Sequence, residues 1–394
     1  MRTSRRRLLA ATAAALANPL QLTLAQTARG AAPDDARFVF VLLRGGMDGL
    51  AAVPAVGDPD FASARGALAE FGSPPLALPG TLFALHPHLV QMHAMYARGE
   101  LAVVHAAGLP YRERSHFDAQ QVLESGGNKP YELATGWLGR ALAASAPRSG
   151  LALTTAVPLV LRGSERVDTW APSVLPEPSA DLLARLEFLY AGDPALRDAL
   201  QRARGLRSQP GMADPLAGGT PLGRQAAIAL ARKAGEMLAA AQGPRIAVLE
   251  MGGWDTHANQ ANPNGALAGN LRMLDAALAA LRDALAASWQ RSVVLVATEF
   301  GREVAINGTM GSDHGSGGAA FVAGGAVQGG RALVDWPGLA RAQRFEGRDL
   351  RVTTDLRSLM KGVLADHLRI TSATIERDVF PASASVKAAP LLKG

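Results

Sequence analysis

The chain has 394 residues, 48% of them hydrophobic and 19% charged, which is ample for a large packed core and excludes a disordered chain. Its formal charge of +6 is concentrated at one end: Arg2, Arg5, Arg6, Arg7 and Arg29 lie in the first thirty residues with no acidic residue, leaving +1 for the remainder. So neutral a body gives no support to a nucleic-acid-binding surface.

The N-terminus reads Ser4-Arg5-Arg6-Arg7-Leu8-Leu9, followed by an Ala/Leu-rich run to about Ala17 and then Pro19. A basic start before a short apolar stretch is the pattern of a secretory signal, and paired arginines point to the twin-arginine export machinery. Residues 1–32 are read as signal peptide and short linker, with cleavage between Ala17 and Ala32, and the protein as periplasmic or secreted. The apolar run falls short of the ~20 residues that a stable membrane span needs. No cysteine is present, so stability must rest on a packed core or bound metal rather than on disulfides.

Beyond the leader, Arg37–Leu43 is apolar throughout after its first residue, as expected of a strand buried on both faces, and it ends in the glycine-rich loop Arg44–Gly49. A helix is expected near His88–Arg98, a strand over Leu101–His105, and a helix from Ser115 to about Ser125, stopped by Gly126-Gly127. Leu151–Leu161 reads as an edge strand, Ser179–Arg204 as one long helix, and residues 205–223 as a surface loop insertion. A helix at Arg224–Gln242, a strand at Arg245–Glu250, a helix at Asn270–Ser288 and a strand at Ser292–Thr298 complete the pattern. Alternating strands and helices imply a single α/β domain, 33–394, with a mainly parallel central sheet flanked by helices on both faces.

Ligands of such sheets bind beyond the carboxyl ends of the strands, and that is where the reactive residues fall. Asp48 follows the first strand, and Ser115-His116 follows the second after a loop. Asp255 and His257 follow the third; Glu299, Arg302 and then Asp313-His314 follow the fourth. In Gly252-Gly253-Trp254-Asp255-Thr256-His257 the carboxylate and imidazole diverge by roughly 200° on a helix but face one side of an extended segment, which suits zinc or another divalent ion. The bland alternative is a turn with Asp255 as a helix cap. Gly311-Ser312-Asp313-His314-Gly315 can present two ligands from one loop, or be a polar turn. Glu299 is a candidate ligand, while Arg302 either grips an oxyanion or pairs with Glu299 or Glu303. Ser115 with Asp118 has the capping form Ser-x-x-Asp, and the same hydroxyl at a helix N-terminus suits a nucleophile. Asp48 is either a ligand or the stabiliser of its glycine turn.

These segments together, including Leu43-Arg44-Gly45-Gly46-Met47-Asp48-Gly49-Leu50, Arg114-Ser115-His116-Phe117 and Thr298-Glu299-Phe300-Gly301-Arg302, resemble the twin-arginine-exported family called domain of unknown function 1501, a sulfatase-like branch of the alkaline phosphatase superfamily. The resemblance covers nearly the whole chain after the leader and implies an alkaline-phosphatase-like fold. It implies one metal held by Asp48, Asp313, His314 and Ser115, and another by Asp255 and His257, with Glu299 as a possible replacement for an aspartate. Zinc is the first expectation, with manganese, magnesium or calcium as alternatives. The catalytic residues expected are Ser115, Arg302 and His116. The Cys-x-Pro-x-Arg motif of sulfatases is missing, since there is no cysteine and Ser145-Ala146-Pro147-Arg148 lacks the spacing. The implied activity is metal-assisted hydrolysis of phosphate esters, less so sulfate esters, on a small-molecule or glycan substrate. A non-catalytic metal- or glycan-binding exported protein is the alternative.

Overall fold

Among the described residues nine strands form one sheet with helices on both faces, and Leu76–Ala77 pairs with Ala84–Leu85 in a separate two-stranded sheet. A computed structural model describes residues 35–145, 148–164, 166–172, 178–207 and 223–393. The leader and most of the expected loop insertion, residues 208–222, lie outside the described residues. Among the described residues no helix is long and apolar enough to cross a membrane.

The strands are β1 (Arg37–Leu43), β2 (Leu101–Gly108), β3 (Gly150–Ala152), β4 (Val167–Thr169), β5 (Ile246–Met251), β6 (Ser292–Thr298), β7 (Gly318–Ala323), β8 (Arg331–Leu333) and β9 (Thr354–Asp355). Their order is β8-β2-β7-β6-β1-β5-β3-β4, with β9 also pairing with β2. The helices that matter here are α1 (Val90–Ala97), α2 (His116–Ser125), α3 (Trp137–Ala144), α4 (Ala180–Tyr190), α5 (Pro194–Arg207), α6 (Arg224–Ala239), α7 (Ala266–Leu285) and α8 (Leu356–Gly362).

Strand β1 shows why the sheet is central. Val39, Val41 and Leu43 face one core with α1, α6 and α7, while Phe38, Phe40 and Leu42 face a second core with α2, α3 and α8. Alternation along a strand sends successive side chains to opposite faces, so a strand covered on both sides is apolar throughout. All seven residues of β1 are buried. The fold class is therefore the α/β one expected, with a mainly parallel sheet.

Some elements differ from the sequence reading. Leu151–Leu161 is not one strand: its start falls in the short β3, which is not an edge strand because it pairs with β5 on one side and β4 on the other, and its end, Leu159–Leu161, is a 3-10 turn. The expected long helix at Ser179–Arg204 is two helices. Pro194 cannot continue a helix, and Asp193 Oδ1 caps the second by accepting from Ala195 N at 2.9 Å. Strand β7, unforeseen in Gly317-Gly318-Ala319-Ala320, runs antiparallel between β2 and β6. That reversal positions the site. The amino end of β7 lies at the same edge as the carboxyl ends of β1, β2, β5 and β6, so residues just before β7 meet residues just after the others.

Candidate metal centre

Four loops converge on that edge. The segment after β6 folds back on itself before entering β7, with Gly301 N donating to Ser316 O (3.1 Å), Gly315 N to Gly301 O (2.9 Å) and Glu303 N to Asp313 O (2.8 Å). This brings Asp313-His314 beside Glu299 and Arg302. The loop after β1 must approach the loop after β5 closely. Gly45 has φ 121°, and a Cβ there would lie 2.6 Å from Asp255 N, so only glycine fits.

At the centre, His116, Asp255 and His314 each offer a donor atom to a common point, the one such group among the described residues. His314 Nε2 lies 3.0 Å from His116 Nε2 and 3.2 Å from Asp255 Oδ1, and His116 Nε2 lies 3.4 Å from Asp255 Oδ1. His257 adjoins two of them, with Nε2 3.0 Å from His314 Nε2 and 2.9 Å from Asp255 Oδ1. Donors bonded at about 2.0–2.1 Å to one zinc-like ion are spaced by about 2.9–3.4 Å, so these separations fit.

The backs of the three rings decide which nitrogen faces inward. His116 Nδ1 meets Glu299 Oε1 at 2.8 Å, His257 Nδ1 meets Asp313 Oδ1 at 3.0 Å, and His314 Nδ1 meets Arg114 O at 3.0 Å. Carboxylate and carbonyl oxygens only accept, so each Nδ1 carries a hydrogen, and in the neutral ring each Nε2 turns a lone pair inward. Lone pairs facing one another at 3.0 Å repel unless a proton or a metal ion lies between them. The donor set of imidazole nitrogens with one carboxylate oxygen suits zinc and its neighbours. The His257 and Asp255 side chains are 43% and 44% exposed, so the point is open to solvent on one side.

Arg302 corrects an expectation. Its guanidinium is buried and donates to Gly46 O, Gly45 O, Trp254 O and Ser312 O, and to Asp255 Oδ1 at 2.5 Å. Its partner is Asp255 rather than Glu299 or Glu303, and its donors are consumed in tying three loops together rather than in gripping an oxyanion. Burial alone would raise the Asp255 carboxyl, but the Arg302 bond and charge hold it down at about 2.

Three expected ligands are not in that donor group: Glu299 and Asp313 each hold a histidine Nδ1 from behind, and Asp48 lies elsewhere. Glu299 is buried, with Oε1 accepting from Gly45 N, Gln120 Nε2 and His116 Nδ1, and Oε2 from Thr298 Oγ1. Those bonds keep its carboxyl below its ordinary value against burial, which pushes the other way. Asp313 orients His257 and accepts from Asn307 Nδ2 at 3.0 Å. Asp48 is outside the cluster. It caps the helical turn Gly49–Ala52 through Ala51 N (3.1 Å), pairs with buried Arg65 at 2.6 Å and accepts from Gln260 Nε2. Burial raises its carboxyl, yet Arg65 and Gln260 hold it below the usual range.

Ser115 occupies the N-cap of α2, with its hydroxyl accepting from Asp118 N at 3.5 Å and standing beside the Tyr111 phenol. His116, expected as a catalytic residue, is placed among the inward-facing donors. Sequence reasoning gave no role to Gln260, Gln120, Asn307 or Arg65. Gln260 joins two loops, since Oε1 accepts from Ser312 Oγ (2.6 Å) and Thr256 Oγ1 (3.2 Å) while Nε2 reaches Asp48. Its one visible signal was its place three residues after His257.

A family model described as protein of unknown function (DUF1501) matches residues 100–380. The chain belongs to that family. The DUF1501 chain is also similar to solved structures at low identity. Among them is the phosphonate monoester hydrolase of Agrobacterium radiobacter, at 10% identity, covering 85% of this chain and 74% of that one, with a TM-score of 0.43. Another is Ps i-CgsB in complex with k-i-k-neocarrahexaose, at 11% identity, 90% and 77% coverage and a TM-score of 0.44. A third is BT1596, a 2-O GAG sulfatase, at 10% identity, 90% and 73% coverage and a TM-score of 0.40. No curated protein matches the chain in sequence.

Proposed function

We propose that this DUF1501 protein is a hydrolase of phosphate esters, with sulfate esters a lesser alternative, that holds one divalent ion of the zinc class at His116, Asp255 and His314, with His257 beside them. The observation carrying the reading is that three imidazoles have their Nδ1 hydrogens anchored by acceptors, leaving three Nε2 lone pairs and one carboxylate oxygen facing a common solvent-open point. Of the other carboxylates picked from sequence, Glu299 and Asp313 orient donor histidines and Asp48 pairs with Arg65 away from them, which favours one ion over two. A bound ion supplies positive charge to ester oxygens, as a Lewis acid.

Within this reading, Ser115 is the nucleophile. Its hydroxyl begins α2 one residue before His116, at a helix N-terminus where partial positive charge favours an anion. Ser115 Oγ attacks phosphorus and releases its proton to solvent while the bond to the alcohol breaks and the alcohol takes up a proton. Water then hydrolyses the phosphoserine and restores the hydroxyl. A second reading, a non-catalytic metal- or glycan-binding protein, draws on one observation: the Ser115 hydroxyl already serves as a cap. Export through the twin-arginine route remains part of the proposal, and the cellular fraction holding an Arg5→Lys, Arg6→Lys double variant tests it.

The deciding experiment measures metal content, melting temperature with and without chelator, and hydrolysis of an aryl phosphate by purified protein. About one equivalent of metal, a lower melting temperature in chelator and chelator-sensitive turnover are expected, because an ion bound only by the folded state stabilises it. Less than about 0.1 equivalent after growth with zinc and manganese sinks the metal reading. Full metal loading without turnover on phosphate or sulfate esters leaves the binding-protein reading standing.

A further inference from the structure

Helix α2 presents two adjoining faces at the metal centre. His116 and Gln120, four residues apart, face inward: His116 joins the donors, and Gln120 bonds to Glu299 and Arg44. One step round the helix, Phe117 and Gln121 form the next face. Phe117 is 82% exposed although it directly follows a donor residue. Gln121 Oε1 accepts from Tyr131 N at 2.8 Å, which brings the loop bearing Tyr131 to that same face. Tyr131 is 72% exposed and sits at φ 61°, in the left-handed region where a tyrosine is strained. Across the centre, half-exposed Met310 has φ 60°, and its backbone bridges to Ala258, next to His257. Large side chains are thus held in water at Phe117, Tyr131 and Met310, the last two on strained backbone, as is expected where a ligand covers them.

We propose that the ester substrate carries a ring whose face packs on Phe117 and Tyr131, making these two aromatics the specificity-determining residues of the site. This rests on the ester-site reading above. A ring face, whether aryl or sugar, meets an aromatic side chain with both apolar contact and quadrupole attraction, and a small alkyl group gains little of either.

The test uses the zinc-loaded full chain and three non-hydrolysable probes: methylphosphonate, phenylphosphonate and glucosyl C-phosphonate, with Kd measured by calorimetry. At least one ring probe is expected to bind about fivefold or more tighter than methylphosphonate, and the tighter of the two names the source of the ring. In Phe117→Ala and Tyr131→Ala the preference should fall to within about twofold while the methylphosphonate Kd holds. Phe117→Trp should retain it, and melting temperatures should match wild type because both side chains are exposed. Equal binding of the three probes by wild type, or a preference surviving in both alanine variants, overturns the proposal alone. Failure of methylphosphonate to bind at all removes the ester-site reading, and this inference with it.

Discussion

Two carboxylates that look alike in sequence do different work at the site. Glu299 keeps the His116 ring turned so that Nε2 faces the donors. Glu299→Gln should therefore cost about 10–100-fold in metal affinity without removing any direct donor, as loss of such orienting partners does. Competition with a zinc indicator checks this, and an unchanged affinity rules out the orienting role. Asp48 faces away, into a buried pair with Arg65. Asp48→Ala strands that guanidinium in the core, so urea unfolding of the metal-free protein should show a loss of about 3–5 kcal/mol. A loss of metal with stability intact would return Asp48 to the ligands. Nothing in the sequence separates these roles. Asp, Glu and His at strand ends were legible as a site, but first contact with an ion depends on which oxygens are already filled. The fillers carry no mark of their role: Gln120 and Gln260 lie far along the chain from the carboxylates they bond, while Asn307 and Arg65 lie within twenty residues of theirs.

Helix α2 is the element on which structure and proposed chemistry compete. Ser115 begins it, Asp118 stands in its first turn, and Gly126 closes it in the left-handed conformation. As a cap alone, Ser115→Ala should cost about 0.5–2 kcal/mol and Ser115→Asp should be tolerated. As the nucleophile, both variants should keep their metal yet lose most turnover on aryl phosphate, since a fixed carboxylate fills the anion position. Near-normal turnover in both excludes Ser115 as nucleophile. Strands β1 and β6 were readable to the residue, because full burial on two faces leaves an unbroken apolar signature. Strand β7 was not. Its opening glycine and alanines have little strand propensity, and it exists because β2 and β6 leave a gap that small residues fill.

Across the whole molecule, acid should weaken the fold through histidines remote from the candidate metal centre. Burial lowers His105 to about 4 and His367 to about 4, while His367 Nε2 donates to Arg37 O at 2.8 Å. The unfolded chain takes up these protons near pH 6.5, the fold only near 4, so between those values the unfolded state binds more protons. Stability is full above about pH 6.5, declines as pH falls toward 4 and levels off for these groups below it. Urea midpoints of the metal-free protein should drop from pH 7 to pH 5, and His367→Asn should flatten that slope by about one proton. An identical slope in the variant refutes this assignment. The reversed strand β7 also has a consequence for timing. His116 and His314 meet although 198 residues separate them, and His314 is delivered by the segment leading into β7. A nascent chain stopped before residue 314 thus lacks a donor, however well its earlier strands are paired. On the metal reading proposed above, an ion meets its full donor set only after the segment leading into β7 has docked, and the compartment where that happens sets which ions compete for the place.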